Sequence, residues 1–145
     1  MKLTLSIVTL LTAITSTVSA ATARAGYDEI YNSAGTKTLT LACSDGQNGL
    51  ATKGYSTLGL IPRFPYVGAT PDIEGWNSKN CGACYSITYA ATKKTIYVTG
   101  VDTTRGTGNF VLSTAALNKL TNNQAIALGT VSVTWSQVPR SRCGM

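Results

Sequence analysis

The chain has 145 residues, of which 43% are apolar and 12% charged, and it contains four cysteines and no histidine. These values fit one compact domain and exclude a disordered or fibrous chain. Twelve lysines and arginines against six acidic residues give a net charge of +6, but the basic residues are scattered, so we expect no nucleic-acid binding. Because histidine is absent, catalysis would have to use carboxylates, cysteine, tyrosine or lysine.

The first twenty residues have the pattern of a secretory signal peptide. Lys2 precedes a mostly apolar run, and small residues follow it as far as Ala20. We expect cleavage after Ala20, although Ala23 and Ala25 also end small-x-small sequences. The apolar run is too short for a bilayer of about 30 Å, so we expect no membrane insertion. The sequence therefore predicts a secreted protein in which 21–145 form a single domain.

Four segments alternate apolar and polar residues, which is typical of strands. They are Thr38–Cys43, Tyr85–Tyr89, Thr95–Val101 and Val131–Trp135. Between the first two, Gly54–Trp76 is rich in glycine and proline, and we expect a long structured loop without ladder pairing. One helix is predicted over 115–120, capped by Ser113 or Thr114. The pattern as a whole predicts a mainly β domain with one short helix.

Four cysteines in a short exported chain predict two structural disulfides. They are Cys43, Cys81, Cys84 and Cys143, which allow three pairings. A direct bond from Cys81 to Cys84 would close a short ring typical of redox-active pairs, whereas bridges between distant segments stabilise a static domain more. A single Cys-x-x-Cys pair with two isolated cysteines is a poor zinc site. We therefore expect no metal and no cofactor.

Short motifs extend along the whole chain beyond the predicted signal peptide. They are Tyr27-Asp28-x-x-Tyr31, Ala42-Cys43-Ser44-Asp45-Gly46, Tyr55-x-Thr57-Leu58-Gly59, Gly75-Trp76-Asn77-Ser78, Cys81-Gly82-x-Cys84 and Gly100-Val101-Asp102-x-x-Arg105-Gly106. In order and spacing they resemble the cerato-platanins. The resemblance implies a six-stranded double-psi β-barrel with short helices, similar to the first domain of expansins and to barwin-like proteins. It also implies the disulfides Cys43 to Cys81 and Cys84 to Cys143.

The resemblance implies a function as well. Cerato-platanins are secreted fungal proteins, found outside the cell and in the cell wall, that bind chitin oligomers, loosen polysaccharide without hydrolysis and elicit plant defence. The implied partners are chitin or N-acetylglucosamine oligomers or another wall polysaccharide, and a plant receptor. We expect a monomer that can self-associate. One alternative is an elicitor recognised by a plant protein receptor, with incidental sugar binding, and another is a weak endoglucanase-like hydrolase.

Hydrolysis is the less favoured alternative because a glycosidase needs two carboxyl groups across one sugar bond. Asp102 follows a predicted strand in a Gly-Val-Asp setting that resembles the position of the acid in related barrels. Val111 stands where the second acid of those hydrolases lies, and no histidine can substitute as the base. We therefore predict no catalytic residue and expect Asp102 to accept hydrogen bonds from sugar hydroxyls.

Six residues are the candidates for carbohydrate contact: Asp102, Arg105, Tyr27, Tyr31, Asp72 and Tyr55. Arg105 is expected either to pair with Asp102 or to bind a sugar. The tyrosines precede the first barrel strand or lie in the proline-rich loop, where exposure is expected. Trp135 is predicted to lie in the core and Trp76 to pack against a disulfide. Tyr85 stands where cerato-platanins often carry tryptophan, and we expect it to keep an aromatic surface.

Overall fold

The computed structural model describes residues 8–14 and 20–145. This part of the chain folds into a closed barrel with the strand order β1-β5-β2-β4-β3-β6. The strands are β1 (Ala21–Tyr27), β2 (Val67–Thr70), β3 (Cys84–Tyr89), β4 (Lys94–Thr103), β5 (Phe110–Leu112) and β6 (Val131–Val138). The mainly β six-stranded barrel that the resemblance implied is therefore confirmed, and three of the four strands predicted from alternation are present.

Strand directions place two chain segments side by side at one end of the barrel. The pairs β1–β5 and β2–β4 are parallel, and the remaining four pairs are antiparallel. Because β2 and β4 run in the same direction, Thr70 lies opposite Thr103 where both strands end. The loops that follow these two strands therefore leave the barrel at the same edge. This edge carries the candidate site.

The predicted helix is confirmed as α1 (Thr114–Thr121). Ser113 caps it, since its Oγ accepts the backbone N–H of Ala116 at 3.1 Å. Asn122, in the left-handed conformation, ends the helix. A second short helix, α2 (Ala125–Leu128), was not predicted. Single 3₁₀ turns occur at Glu29–Tyr31, Thr38–Thr40, Leu58–Leu60 and Arg140–Cys143, and no helix of the described residues is long and apolar enough to cross a bilayer.

The strand predicted at Thr38–Cys43 is wrong. Its first residues form the 3₁₀ turn Thr38–Thr40, in which the N–H of Leu41 donates to the carbonyl of Thr38 at 3.0 Å. Thr38 and Leu41 are both buried, and Leu39 between them is exposed. Buried residues three apart fit a 3₁₀ turn and not the period of two of a strand. The apolar–polar pattern of so short a segment could not distinguish the two.

The loop predicted over Gly54–Trp76 contains a barrel strand, so that prediction is wrong in part. Strand β2 lies between Pro65 and Pro71, and all four of its residues are buried. The prolines flank the strand, where no ladder hydrogen bond is lost. A strand that is covered on both faces shows no alternation, which is why the sequence pattern did not reveal β2.

Two apolar clusters and two disulfides hold the domain together. One cluster fills the barrel beneath α1, and the other lies under the loops that contain Leu50, Leu58 and Ile61. The disulfides join Cys43 to Cys81 and Cys84 to Cys143, as the resemblance implied. Each bridges segments far apart in sequence, so both constrain the unfolded chain strongly.

The predicted signal peptide lies mostly outside the described residues. Its basic start and the small residues at 15–19 are not described, and 8–14 form no helix or strand. Strand β1 begins at Ala21, directly after the expected cleavage position, and it pairs with β6 from that residue onward.

Candidate functional site

Asp102 lies near the end of β4 and uses both carboxylate oxygens in hydrogen bonds. Its Oδ1 accepts the backbone N–H groups of Ala42 and Thr103, each at 2.9 Å, and its Oδ2 accepts the hydroxyl of Tyr31 at 2.9 Å. Tyr31 is 5% exposed, and burial together with the Asp102 charge raises the pKa of its phenol above the ordinary value. Tyr31 therefore remains a neutral donor that fixes the Asp102 carboxylate.

Arg105 stands in the exposed loop after β4. Its backbone N–H donates to Thr103 Oγ1 at 2.9 Å, and its φ of 53° places it in the left-handed region. The hydrogen-bonding groups at the Asp102 carboxylate are those of Tyr31, Ala42 and Thr103. Arg105 is exposed, and its guanidinium is not among these groups.

Asp72 is anchored at the same barrel edge, in the loop after β2. Its Oδ1 accepts hydrogen bonds from the Tyr85 hydroxyl and, at 3.1 Å, from Thr70 Oγ1. Burial and the hydrogen bond to Asp72 raise the pKa of Tyr85 above its ordinary value. Because Thr70 lies opposite Thr103, Asp72 in the loop after β2 and Asp102 near the end of β4 lie at the same edge of the barrel. Each carboxylate is thus held by a neutral buried tyrosine.

The burial of the aromatic side chains differs in part from what the sequence predicts. Tyr31 is buried and Tyr85 is fully buried, so neither presents an aromatic surface to solvent. Tyr55 is half-buried against the same cluster as Tyr31, and Tyr27 is half-buried against the barrel cluster. Trp135 is half-buried against the barrel cluster, with its ring centroid 5.8 Å from that of Tyr85, so its predicted place in the core is confirmed in part.

Trp76 is the aromatic residue whose role sequence reasoning missed. It is 63% exposed, which contradicts the expectation that it packs against a disulfide. Its indole Nε1–H donates to Asp45 Oδ1 at 2.6 Å. The ring lies over Gly46, where a Cβ atom would come within 2.9 Å of the Trp76 Cζ2 atom. A side chain at position 46 would displace the indole, so glycine there permits the close approach of the ring to the loop.

The loop that carries Trp76 is pinned by amide groups. The backbone N–H of Asn48 donates to Asn77 Oδ1 at 2.9 Å, and the Asn48 side chain donates to the Asn77 carbonyl at 3.0 Å. A cleft of about 420 Å³ opens beside the indole, and we call it the Trp76 cleft. Its lining includes Asn48, Glu74, Trp76, Asn77, Lys79 and Asn80.

The Trp76 cleft adjoins the Asp102 edge. Thr103, next to Asp102, places its Oγ1 3.5 Å from the carbonyl oxygen of Glu74, which lines the cleft. The combined surface offers one flat apolar ring among amide, carboxylate and ammonium groups. Sugars present hydroxyls at their edges and C–H groups on their faces, and such a mixed surface can satisfy both.

Two observations bear on catalysis and on metal binding. Val111, predicted from the sequence to stand at the position of the second acid of related hydrolases, is a half-buried β5 residue that pairs with Ala69. Asp102 therefore has no carboxylate opposite it at that position. Within residues 8–14 and 20–145, no group of three or more His, Cys, Asp or Glu side chains is placed to hold a metal ion.

Comparison with known proteins places these features in a family. The cerato-platanin family model matches residues 23–145. The chain is 43% identical over 118 residues to an allergen homologue of Arthroderma benhamiae, covering 81% of this chain and 56% of that relative. It is 42% identical over 126 residues to the heat-stable 19 kDa antigen of Coccidioides posadasii, covering 87% of this chain and 84% of the antigen. The chain thus spans little more than half the length of the first relative.

Solved structures give the same assignment. Cerato-platanin 3 from M. perniciosa superposes with a TM-score of 0.81 at 46% identity, covering 86% of this chain and all of that one. The solution structure of the fungal elicitor cerato-platanin superposes with a TM-score of 0.73 at 39% identity, covering 83% of this chain and 95% of that one. An expansin from Clavibacter michiganensis shares the fold alone, with a TM-score of 0.56 at 18% identity over 83% of this chain and 51% of the expansin. The chain therefore belongs to the cerato-platanin family.

Proposed function

We propose that this cerato-platanin is a secreted, non-catalytic protein that binds chitin oligomers, loosens wall polysaccharide without hydrolysis and elicits plant defence. The observation that carries the proposal is the exposed indole of Trp76, fixed by Asp45 at the side of a polar cleft. The protein acts in the cell wall, outside the cell. Its two disulfides suit that oxidising environment.

An aromatic ring held in place before binding is an effective platform for a sugar. An exposed tryptophan that is free to rotate loses side-chain entropy when it stacks on a ligand, whereas Trp76 is already held by Asp45 and Gly46. Asn77 and Asn80 lie next to the indole in the cleft wall. Asn77 Oδ1 accepts from Asn48 and Asn80 Nδ2 donates to the Asp72 carbonyl. The Asn77 amide nitrogen as a donor and the Asn80 amide oxygen as an acceptor suit sugar hydroxyls and the acetamido group of N-acetylglucosamine.

Non-catalytic action is supported by the state of the carboxylates. Asp102 accepts three hydrogen bonds and Asp72 accepts from Tyr85 and Thr70. A glycosidase acid must present a carboxyl oxygen to the glycosidic bond, whereas both oxygens of Asp102 accept hydrogen bonds from within the protein. With Val111 at the second position, the endoglucanase alternative has no acid–base pair here.

Recognition by a plant protein receptor is a second candidate function, favoured by a different observation. Leu39 is 60% exposed and Leu60 is 56% exposed. The loops that carry them are joined by the hydrogen bond from the Gly59 N–H to the Ala34 carbonyl at 2.9 Å. Apolar side chains presented on ordered loops suit contact with another protein. In this alternative the sugar binding is incidental to elicitation.

Titration with chitotetraose tests the proposal. We expect saturable shifts of backbone amide resonances in the Trp76 cleft, larger for chitotetraose than for cellotetraose. Trp76→Ala should weaken binding about tenfold, or about 1.4 kcal/mol, whereas Trp76→Phe should keep most of the affinity. Leu60→Ala removes an exposed apolar side chain from another loop and should leave binding unchanged.

The outcomes separate the candidate functions. An absence of shifts with either sugar at millimolar concentration removes the sugar-binding proposal and leaves the receptor alternative. Binding that persists unchanged in Trp76→Ala moves the sugar site away from this cleft. Release of reducing ends from either oligomer would support the hydrolase alternative.

A further inference from the structure

A second cleft, which shares no lining residue with the Trp76 cleft, lies between helix α1 and strand β4. Its volume is about 260 Å³, and we call it the Tyr97 cleft. It is lined by Arg63, Tyr66, Thr95, Ile96, Tyr97 and Lys119. None of the chain's six Asp and Glu residues is among these lining residues. The cleft is therefore a basic and aromatic surface.

Two cationic side chains, Arg63 and Lys119, line this cleft, and a third, Arg142, lies against its Tyr97 ring. The hydrogen bonds of the two arginines are to uncharged groups. Arg63 donates through Nη1 to the carbonyl oxygen of Arg142 at 2.6 Å. The Arg142 guanidinium carbon lies 5.6 Å from the centroid of the Tyr97 ring, and its Nη1 donates to the Tyr97 hydroxyl at 3.5 Å. Because the partners are a carbonyl, a phenol and a ring face, both guanidinium charges remain available to an anion.

Apart from Thr95, the remaining walls of the Tyr97 cleft are apolar or aromatic. Tyr66 and Tyr97 are half-buried, and Ile96 is 6% exposed. A small inorganic anion would pair with the cationic side chains but would not cover the tyrosine rings. A neutral sugar would cover the rings and leave Arg63 and Lys119 without a partner. A ligand that contacts both the cationic side chains and the tyrosine rings has an apolar ring face and a carboxylate on the same unit.

We propose that the Tyr97 cleft binds acidic polysaccharide composed of uronic acid residues. Each uronate unit carries a pyranose ring, whose C–H face can lie against a tyrosine, and a carboxylate that an arginine can hold through two parallel hydrogen bonds. The disulfides indicate an extracellular protein, so it meets wall polyanions rather than intracellular nucleic acid. This site shares no lining residue with the Trp76 cleft. Either binding proposal can therefore be refuted without the other.

Titration with a tetramer of galacturonic acid tests this inference, with its fully methyl-esterified form as the neutral counterpart. At 0.15 M ionic strength, where the screening length is about 8 Å, distant charges contribute little. We expect saturable amide shifts at Tyr97 and Lys119 with the acid tetramer, and at least tenfold weaker binding of the ester. Chitotetraose should leave these resonances in place.

Two double variants with equal loss of charge supply the control. Arg63→Gln with Lys119→Gln should weaken binding of the acid tetramer at least tenfold. Lys37→Gln with Lys53→Gln removes two positive charges from exposed positions that do not line the cleft, and should change the affinity less than twofold.

Three results would overturn the proposal. Equal loss in both double variants would mean general attraction by net charge, and equal affinity for the ester would mean that the carboxylates are not recognised. Tighter binding of a single-stranded oligonucleotide would assign the cleft to nucleic acid. The ester comparison uses the unaltered protein, so it remains decisive if the cleft variant fails to fold.

Discussion

At the scale of single residues, two buried tyrosines define the end of the barrel. Tyr31 donates to Asp102 and Tyr85 donates to Asp72, and burial is the main cause that raises the pKa of both phenols. A neutral phenol next to a carboxylate is a stable arrangement, whereas a phenolate there would be a second buried anion. The same groups that order the two loops therefore make the fold sensitive to high pH.

Alkaline pH should destabilise the protein through these tyrosines. Above pH 10 an unfolded tyrosine loses its proton while the folded one keeps it, so the unfolded state binds fewer protons and stability falls as pH rises. The free energy of unfolding should be flat below pH 10 and then decrease by about 1.4 kcal/mol per pH unit for each buried tyrosine. Denaturant titrations between pH 7 and pH 11 measure this slope.

Tyr31→Phe separates the contribution of one tyrosine from the other. At pH 7 this substitution should lower the free energy of unfolding by about 2 kcal/mol, because Asp102 loses a donor. Above pH 10 it should halve the decrease of that free energy per pH unit. Tyr97→Phe removes a phenol that is half-exposed and should change neither quantity much. An unchanged slope in Tyr31→Phe would show that other groups cause the alkaline loss.

The candidate site could be predicted from the sequence only in part. Asp102 and Tyr31 were named as separate sugar contacts, but their hydrogen bond joins residues 71 positions apart, which no local pattern reveals. The contact between Trp76 and Asp45 spans 31 positions and was missed for the same reason. A Gly-Trp-Asn sequence in a loop was the only available signal, and it fits a buried tryptophan equally well.

At the scale of secondary structure, what the sequence revealed depended on which faces were covered. In β6, buried Val131 and Val133 alternate with exposed Ser132 and Thr134, and that alternation is visible in the sequence. Helix α1 was visible through its cap and its spacing of Leu117 and Leu120. Strand β2 has no exposed face, so nothing in its sequence Val-Gly-Ala-Thr alternates.

Strand β2 packs closely against β5, and Gly68→Ala tests whether this packing requires a glycine at position 68. A Cβ atom at this position would lie 2.9 Å from Leu112 Cα and would also clash with the carbonyl oxygen of Val111. Since the obstacles are backbone atoms of β5, the barrel must shift, and we expect a loss of about 1 to 3 kcal/mol or more. Thermal and denaturant unfolding measure the change.

Gly75→Ala is the matched control for Gly68→Ala. No heavy atom lies within 4 Å of a Cβ built at Gly75, so its unfolding free energy should stay within about 0.5 kcal/mol of the parent value. A similar small effect at both glycines would mean that β2 tolerates a wider separation from β5 than this packing indicates.

At the scale of the whole molecule, both ends of the domain are tied into the barrel. Strand β1 closes the barrel by pairing with β6, and Cys143 binds the C-terminal turn to the first residue of β3. Both clefts lie between these ties, so the two proposed ligand surfaces rest on a closed frame. The position of the mature N-terminus therefore affects the frame directly.

Of the three predicted cleavage positions, the one after Ala20 keeps β1 whole, so we predict a secreted form that begins at Ala21 rather than at Arg24 or Gly26. Five residues of β1, from Ala21 to Ala25, lie opposite β6, and a chain that begins at Arg24 keeps two of them. Losing these backbone hydrogen bonds and the half-buried Ala23 should cost about 1 to 3 kcal/mol. A chain with Ala20 retained should unfold like the one that begins at Ala21, because Ala20 is exposed and precedes the strand. The mass of the secreted protein identifies the terminus, and equal stability of the Arg24 chain would show that β1 needs only its last residues.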